Sequence, residues 1–281
     1  MKIPKYWAKS TARVHGDRGE FDLTFWRWSD TSQADAVQAA NARAREMAAR
    51  FTSFDDLDRY GYADRPLREE IVDVIKDSAG RESAVVTRNT YGALILNAAR
   101  VMFIDIDFEA KSGGLSARLR QLGGKAPSSP EADHLARIED WARQHPRWSL
   151  RVYRTFGGLR GLITNELFEP TDPGSTDVLK SLKSDPLYVR LCRAQECFRA
   201  RLTPKPWRCG TANPPSRYPW PTTGAEMAQR QWERAYEYAA NRYTTCKLVK
   251  QFGSASMTSD VAHIVEMHDR YACRGDHFDL A

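Results

Sequence analysis

Val101-Met102-Phe103-Ile104-Asp105-Ile106-Asp107-Phe108 is an apolar run broken by two aspartates that are two positions apart. Such a run is too short to span a bilayer and rich in β-branched and aromatic residues, so it predicts a buried β-strand. Successive strand side chains point to opposite faces. Asp105 and Asp107 therefore share one face, roughly 7 Å apart along the strand, while Met102, Ile104, Ile106 and Phe108 fill the other. Two carboxylates in apolar surroundings repel one another and resist ionisation unless a cation or an arginine compensates them. Their oxygens are hard ligands that suit Mg2+ or Mn2+, as in two-metal nucleotidyl transfer. The competing reading ends the strand at Ile104 and makes both aspartates loop or capping residues at its exposed end.

On the N-terminal side, 83–88 and 93–97 read as two more strands separated by Asn89-Thr90-Tyr91-Gly92. With 101–108 they predict three neighbouring antiparallel strands. Earlier still, Phe21-Asp22-Leu23-Thr24-Phe25-Trp26-Arg27-Trp28 alternates apolar with polar and predicts a strand, and Ser29 to Ser32 offer N-caps for a helix ending near Phe51. Pro66 with Glu69 and Glu70 predicts a second helix running to Ser78-Ala79-Gly80. Two helices and one strand are thus expected before the central motif.

On the C-terminal side, the stretch 113–130, with its glycines, serines and prolines, predicts a mobile loop, and Pro130-Glu131 opens a helix ending near His145-Pro146. Then come two strands, 149–155 and 159–164, around Phe156-Gly157-Gly158, a hairpin signature. Arg151, Arg154 and Arg160 surround the Gly157-Gly158 turn, where backbone N–H groups can approach an anion. An ordinary hairpin with solvated arginines fits the same residues. Helices are expected at 175–184 and 186–193, a strand at 197–203, a proline-rich extended loop at 204–221, and helices at 224–240 and 258–271 around a strand at 243–251. From Arg190 to Arg208, arginines and Lys205 face a single acid, Glu196, with Phe198 and Trp207 interleaved. Arg199 and Arg201 alternate onto one strand face, so the segment suits phosphate contact and base stacking, or is a basic surface strand followed by a stiff loop.

The chain has 281 residues, 42 Lys+Arg against 36 Asp+Glu, and a net charge of +6. That balance favours a polyanionic partner, and arginine suits phosphate because its planar fork donates two hydrogen bonds. With no apolar leader and no bilayer-length run, a soluble, cytoplasmic protein with no membrane partner is expected. Five cysteines, an odd count, predict free thiols. Cys192, Cys197 and Cys209 match no paired-cysteine zinc spacing and read as buried structural thiols, and His263 and His268, five apart, do not stack on one helix face. Gly-x-Ser-x-Gly, Walker and dinucleotide-binding glycine motifs are missing from the sequence.

The order of these motifs resembles the archaeo-eukaryotic primase superfamily, which includes the primase-polymerases. Phe103-Ile104-Asp105-Ile106-Asp107 stands where that family carries its apolar-Asp-apolar-Asp strand, and Thr155-Phe156-Gly157-Gly158-Leu159-Arg160 stands at its glycine turn, with Arg160 in place of a phosphate-contacting histidine. The resemblance covers roughly 83–208. It implies an α+β fold with a mixed, largely antiparallel sheet of RNA-recognition-like type, flanking helices and an N-terminal α/β unit over 1–82; the chain's length fits one large α/β domain or two small ones, and a single domain over 1–281 is expected. The resemblance also implies a third catalytic acid, for which Glu196 is the first choice and Asp185 the second. The expected activity is metal-dependent nucleotidyl transfer on nucleoside triphosphates and a nucleic-acid template. Asp105 and Asp107 would hold Mg2+ or Mn2+, and Arg151, Arg154, Gly157, Gly158, Arg160, Arg199, Arg201 and Lys205 would contact phosphate. A non-catalytic nucleic-acid-binding module and a metal-dependent nuclease or phosphodiesterase are the alternatives.

Overall fold

The computed structural model describes residues 1–16, 19–51, 66–108 and 129–281. The expected mobile loop at 113–130 lies, except for its last two positions, outside the described residues. The architecture is mixed α+β, with six helices among the described residues and two four-stranded antiparallel sheets.

The chain begins with a long hairpin, β1 (Tyr6–Gly16) and β2 (Gly19–Ser29), in unbroken antiparallel register from Tyr6 opposite Ser29 to Gly16 opposite Gly19. Helix α1 (Gln33–Arg50) follows, capped by the Ser32 side chain accepting from the Asp35 N–H. Its buried Ala36, Ala40, Ala44 and Met47 recur at helical spacing, and the three alanines let it lie close on the hairpin.

The helix expected from Pro66 to Gly80 is instead strand β3 (Glu70–Lys76). The run Ile71, Val72, Val74, Ile75 is β-branched, and a turn at Asp77–Arg81, with Gly80 at φ +77°, folds it antiparallel onto β4 (Glu82–Arg88). Tertiary pairing outweighs the helix-start signal of the proline and glutamates. The described part of the chain before β4 therefore holds three strands and one helix, not one strand and two helices.

β5 (Leu94–Ala98) pairs with β4 as expected, but β6 (Phe103–Asp107) does not continue that sheet. Instead β9 (Phe198–Arg201) pairs with β5, giving the order β3-β4-β5-β9. β6 joins the hairpin of β7 (Leu150–Thr155) and β8 (Gly158–Ile163), with β11 (Cys246–Phe252) completing the order β11-β7-β8-β6. The short connection Ala99–Met102 thus crosses from one sheet to the other. A two-residue strand, β10 (Tyr243–Thr244), pairs parallel with β12 (Asp279–Leu280).

Helices α2 (Pro130–Gln144), α3 (Pro173–Ser181), α4 (Pro186–Gln195), α5 (Thr223–Ala240) and α6 (Ser259–Ala272) lie close to their expected places. The proline-rich 204–221 is largely irregular and contains a 3-10 turn at Pro206–Arg208. One hydrophobic core joins both sheets with α2, α3, α4 and α6. Among the described residues no helix is long and apolar enough to cross a membrane.

β6 and β9, each at an edge of its sheet, are linked by side chains. The buried Tyr188 hydroxyl of α4 donates to the Phe103 carbonyl at 2.9 Å and accepts from the Arg199 N–H at 3.3 Å. Arg160 of β8 reaches the Arg201 carbonyl at 2.9 Å. This seam positions the candidate site.

Candidate phosphate and metal site

Asp105 and Asp107 share a face of β6, as the two-residue period requires, while Ile104 and Ile106 are buried on the opposite face. Asp105 lies directly across the ladder from Arg160, and Asp107 across from Gly158. Asp107 is exposed. Asp105 is partly buried and densely surrounded; desolvation pushes its pKa up, Arg160 opposes, Asp107 adds to the rise, and Arg201 and Asp185 act more weakly in opposite senses.

The outer edge of β6 is met by the start of α4. The Asp185 N–H donates to the Asp105 carbonyl at 2.8 Å and the Ser184 hydroxyl donates to it at 3.0 Å. Asp185 also caps α4, its carboxylate accepting from the Leu187 and Tyr188 N–H groups. The acid that the fold brings beside Asp105 is therefore the second choice, Asp185. Glu196 ends the same helix, at φ +52°, and pairs with Lys2 at 2.9 Å. Eleven residues of helical rise, roughly 16 Å, separate it from Asp185.

The expected phosphate ligands divide. Arg201 faces the site: burial pushes its pKa down to about 10, with Arg160 and Arg208 adding to the fall and Asp105 opposing it. Lys205 is likewise lowered by burial, by Arg201 and by Arg208, against the attraction of Asp107 and Asp105. Arg208, which the sequence reading did not single out, is lowered by burial against the attraction of Asp107. Arg160 is buried and committed, its Nη1 donating to the Arg201 carbonyl and lying 2.9 Å from His268 Nε2.

The others serve the fold. Arg199 Nη2 donates to both Glu69 carboxylate oxygens, at 2.8 and 2.9 Å, and Glu69 also accepts from Thr87. Arg151 pairs with Asp269 at 3.0 Å. Arg154 lies on the other face of the hairpin sheet, bonded to Glu131 and to the Gly158 and Thr155 carbonyls and stacked on Phe108. The Gly158 N–H donates to Thr155 Oγ1, and the Gly157 carbonyl accepts from Phe108.

Gly158 has a steric role instead. A Cβ there would stand 1.9 Å from the Ile106 carbonyl oxygen, so only glycine lets β8 lie this close to β6. Gly158→Ala is expected to force the strands apart between the two aspartates and lower the urea midpoint by the equivalent of about 2 kcal/mol or more. Gly157→Ala, whose Cβ meets nothing within 4 Å, should be close to neutral in the same titration.

Four cations, Arg160, Arg201, Lys205 and Arg208, thus surround three carboxylates, Asp105, Asp107 and Asp185. Arg201 Nε and Arg208 Nη1 are buried and make no hydrogen bond among the described residues. A buried guanidinium nitrogen without an acceptor is costly, and a phosphate oxygen is the acceptor its geometry suits. Half-exposed aromatics rim these cations. The Arg208 guanidinium lies 4.0 Å over Phe156, Lys205 Nζ lies 5.4 Å from the Trp207 ring, and Tyr91 meets Trp207 edge-on at 5.2 Å. Cations alternating with exposed rings make a surface for a phosphate chain carrying bases.

The donor set of Asp105 and Asp107 fits a hard dication, because the rise in the Asp105 pKa is the penalty that such a charge would remove. Asp185 does not complete a three-carboxylate cluster. Among the described residues, the one group of three potential ligands whose donor atoms all lie within 4.8 Å of one another is Cys246, His268 and Cys273, elsewhere on the same sheet face. Neither spacing nor composition pointed to that group. Cys192, Cys197 and Cys209 are buried free thiols, as expected, burial pushing the first two up to about 12 and about 11.

The chain matches no protein-family model, no curated protein and no solved structure at a significant level.

Proposed function

We propose that the protein binds the phosphates of a nucleoside triphosphate and a nucleic-acid strand along β6, β9 and the Pro206–Arg208 turn, and carries out metal-dependent nucleotidyl transfer there. The observation that carries this reading is the placement of two unpartnered, buried guanidinium nitrogens, Arg201 Nε and Arg208 Nη1, beside the paired aspartates Asp105 and Asp107. Asp105 and Asp107 would hold Mg2+ or Mn2+, which would supply charge stabilisation for the transferred phosphoryl group. Arg201, Lys205 and Arg208 bind phosphate oxygens, and Phe156 and Trp207 stack bases. Arg160 holds Asp105 electrostatically from the neighbouring strand while its own hydrogen bonds fix the seam. The motif order also supports reading the four-stranded sheet that carries the aspartates as an RNA-recognition-like core.

Primer extension with Mn2+ tests the reading. Asp107→Ala, at an exposed position whose loss spares the fold, is expected to reduce extension by at least about 100-fold. Arg208→Ala should weaken binding of labelled single-stranded DNA or RNA about 10-fold and reduce the slope of log K against log salt by about 1. Full extension by Asp107→Ala, or binding insensitive to salt, would overturn the proposal.

A second reading is a binding module without turnover. It is favoured by the commitment of Arg160 to Arg201 and His268 and by the lack, among the described residues, of three converging carboxylates. It shares the salt-dependent binding and differs in showing no extension. Loss of labelled substrate with metal present would instead point to phosphodiester hydrolysis.

A further inference from the structure

We propose that Cys246, His268 and Cys273 form a zinc site, independent of Asp105 and Asp107, that ties β11 to the end of α6. The three donor atoms lie within 4.8 Å of one another, with Cys246 Sγ 3.4 Å from Cys273 Sγ and 3.9 Å from His268 Nε2. In tetrahedral arrangement, two sulfurs about 2.3 Å from a zinc ion lie roughly 3.7 Å apart, and a sulfur and a nitrogen about 2.0 Å from it lie roughly 3.5 Å apart, so both observed separations are within a few tenths of an ångström of a shared ion.

The ligand types select the metal. Two thiols and an imidazole suit zinc and are poor ligands for magnesium or calcium. His268 is fully buried, and its Nδ1 donates to Asp269 Oδ1 at 2.8 Å. That bond fixes the tautomer that leaves the Nε2 lone pair facing the thiols, and a carboxylate behind the imidazole is the usual support of a zinc-bound histidine.

The chain delivers the three ligands from two elements. Cys246 opens β11, His268 faces inward from α6, and Cys273 is the residue that ends that helix. The Thr245 N–H donates to the Ala272 carbonyl at 3.0 Å, so the backbones next to the two cysteines are already hydrogen-bonded. In the structure His268 Nε2 accepts from Arg160 Nη1. Zinc would take that lone pair and leave Arg160 with its bond to the Arg201 carbonyl.

The full-length chain, expressed with added zinc and purified without chelator, is assayed by elemental analysis. About one zinc per chain is expected, together with a drop in Tm on treatment with a chelator and its return on adding zinc back. Cobalt substitution should give a thiolate-to-cobalt charge-transfer absorption. Because Cys246 and His268 are fully buried and their variants can fail to fold, Cys273→Ala, at the partly exposed position, is the main variant. It should retain the wild-type far-ultraviolet circular dichroism and lose at least about nine-tenths of the zinc, whereas Cys209→Ala should keep it. A wild-type chain that neither carries zinc nor takes it up would overturn the proposal. So would full zinc content in Cys273→Ala. Zinc content is read from Cys246, His268 and Cys273 and primer extension from Asp105 and Asp107, so the two proposals fail on different measurements.

Discussion

Asp105→Asn is expected to abolish metal-dependent extension and at the same time raise the melting temperature at neutral and alkaline pH. The two effects have one cause. Crowding by protein atoms raises the Asp105 pKa, with Asp107 adding to it, so the folded chain pays to ionise this carboxyl while the unfolded chain does not. Below the unfolded value near 3.9 the group is protonated in both states and costs nothing. As the pH rises through the folded pKa, the unfolded chain has already released its proton and stability is lost, at about 1.4 kcal/mol for each unit of the rise. Asparagine keeps the shape and cannot ionise. Melting scans should show the variant above wild type at pH 8 by a few degrees, with the gap closing toward pH 4. A variant less stable than wild type across that whole range would show that Arg160 and Arg201 need the charge more than burial resists it. Extension should fall by at least about 100-fold, because a neutral amide neither neutralises nor anchors a dication.

Glu69→Ala should produce the largest loss of stability. Arg199 is buried with both of its bonds to that carboxylate, and Thr87 and the Asn97 side chain continue the network. Removing the acid strands a guanidinium whose burial already works against its charge, a change that costs about 3–5 kcal/mol. The urea midpoint should fall accordingly, and the double variant Glu69→Leu/Arg199→Met should recover most of it, since the cost lies in the unpaired charge and not in missing volume. If Glu69→Ala matches wild type in urea, solvent reaches Arg199 and the pair is not structural.

The local signals in this chain were strong where they depended on the nearest neighbours. The apolar run around Asp105, the Gly157-Gly158 hairpin, the cap of α1 among Ser29 to Ser32 and the start of α2 at Pro130 are all present where periodicity and capping chemistry put them. What sequence did not reveal depended on partners distant in the chain. Glu70–Lys76 becomes a strand because β4 is there to pair with it, and Tyr6–Gly16, polar in sequence, is a strand because β2 is opposite. Arginine posed the same problem for the site. Arg199 and Arg201 are indistinguishable in a sequence, two positions apart on one face, yet Glu69 occupies the first and leaves the second facing the aspartates. Glu196 and Asp185 flank one helix, and only the hydrogen bond from the Asp185 backbone to Asp105 decides which of them belongs near the pair.

The seam between β6 and β9 has a thermodynamic consequence. The acids stand on one sheet and Arg201 on the other, and among the described residues the two edges are joined by Tyr188, Arg160 and the core behind them rather than by a backbone ladder. A phosphate bound as proposed would brace the two sheets across this seam, in addition to the core they share. Ligand affinity and the free energy of opening the seam would then be linked, so that a change loosening Tyr188 is expected to weaken binding without touching the ligand.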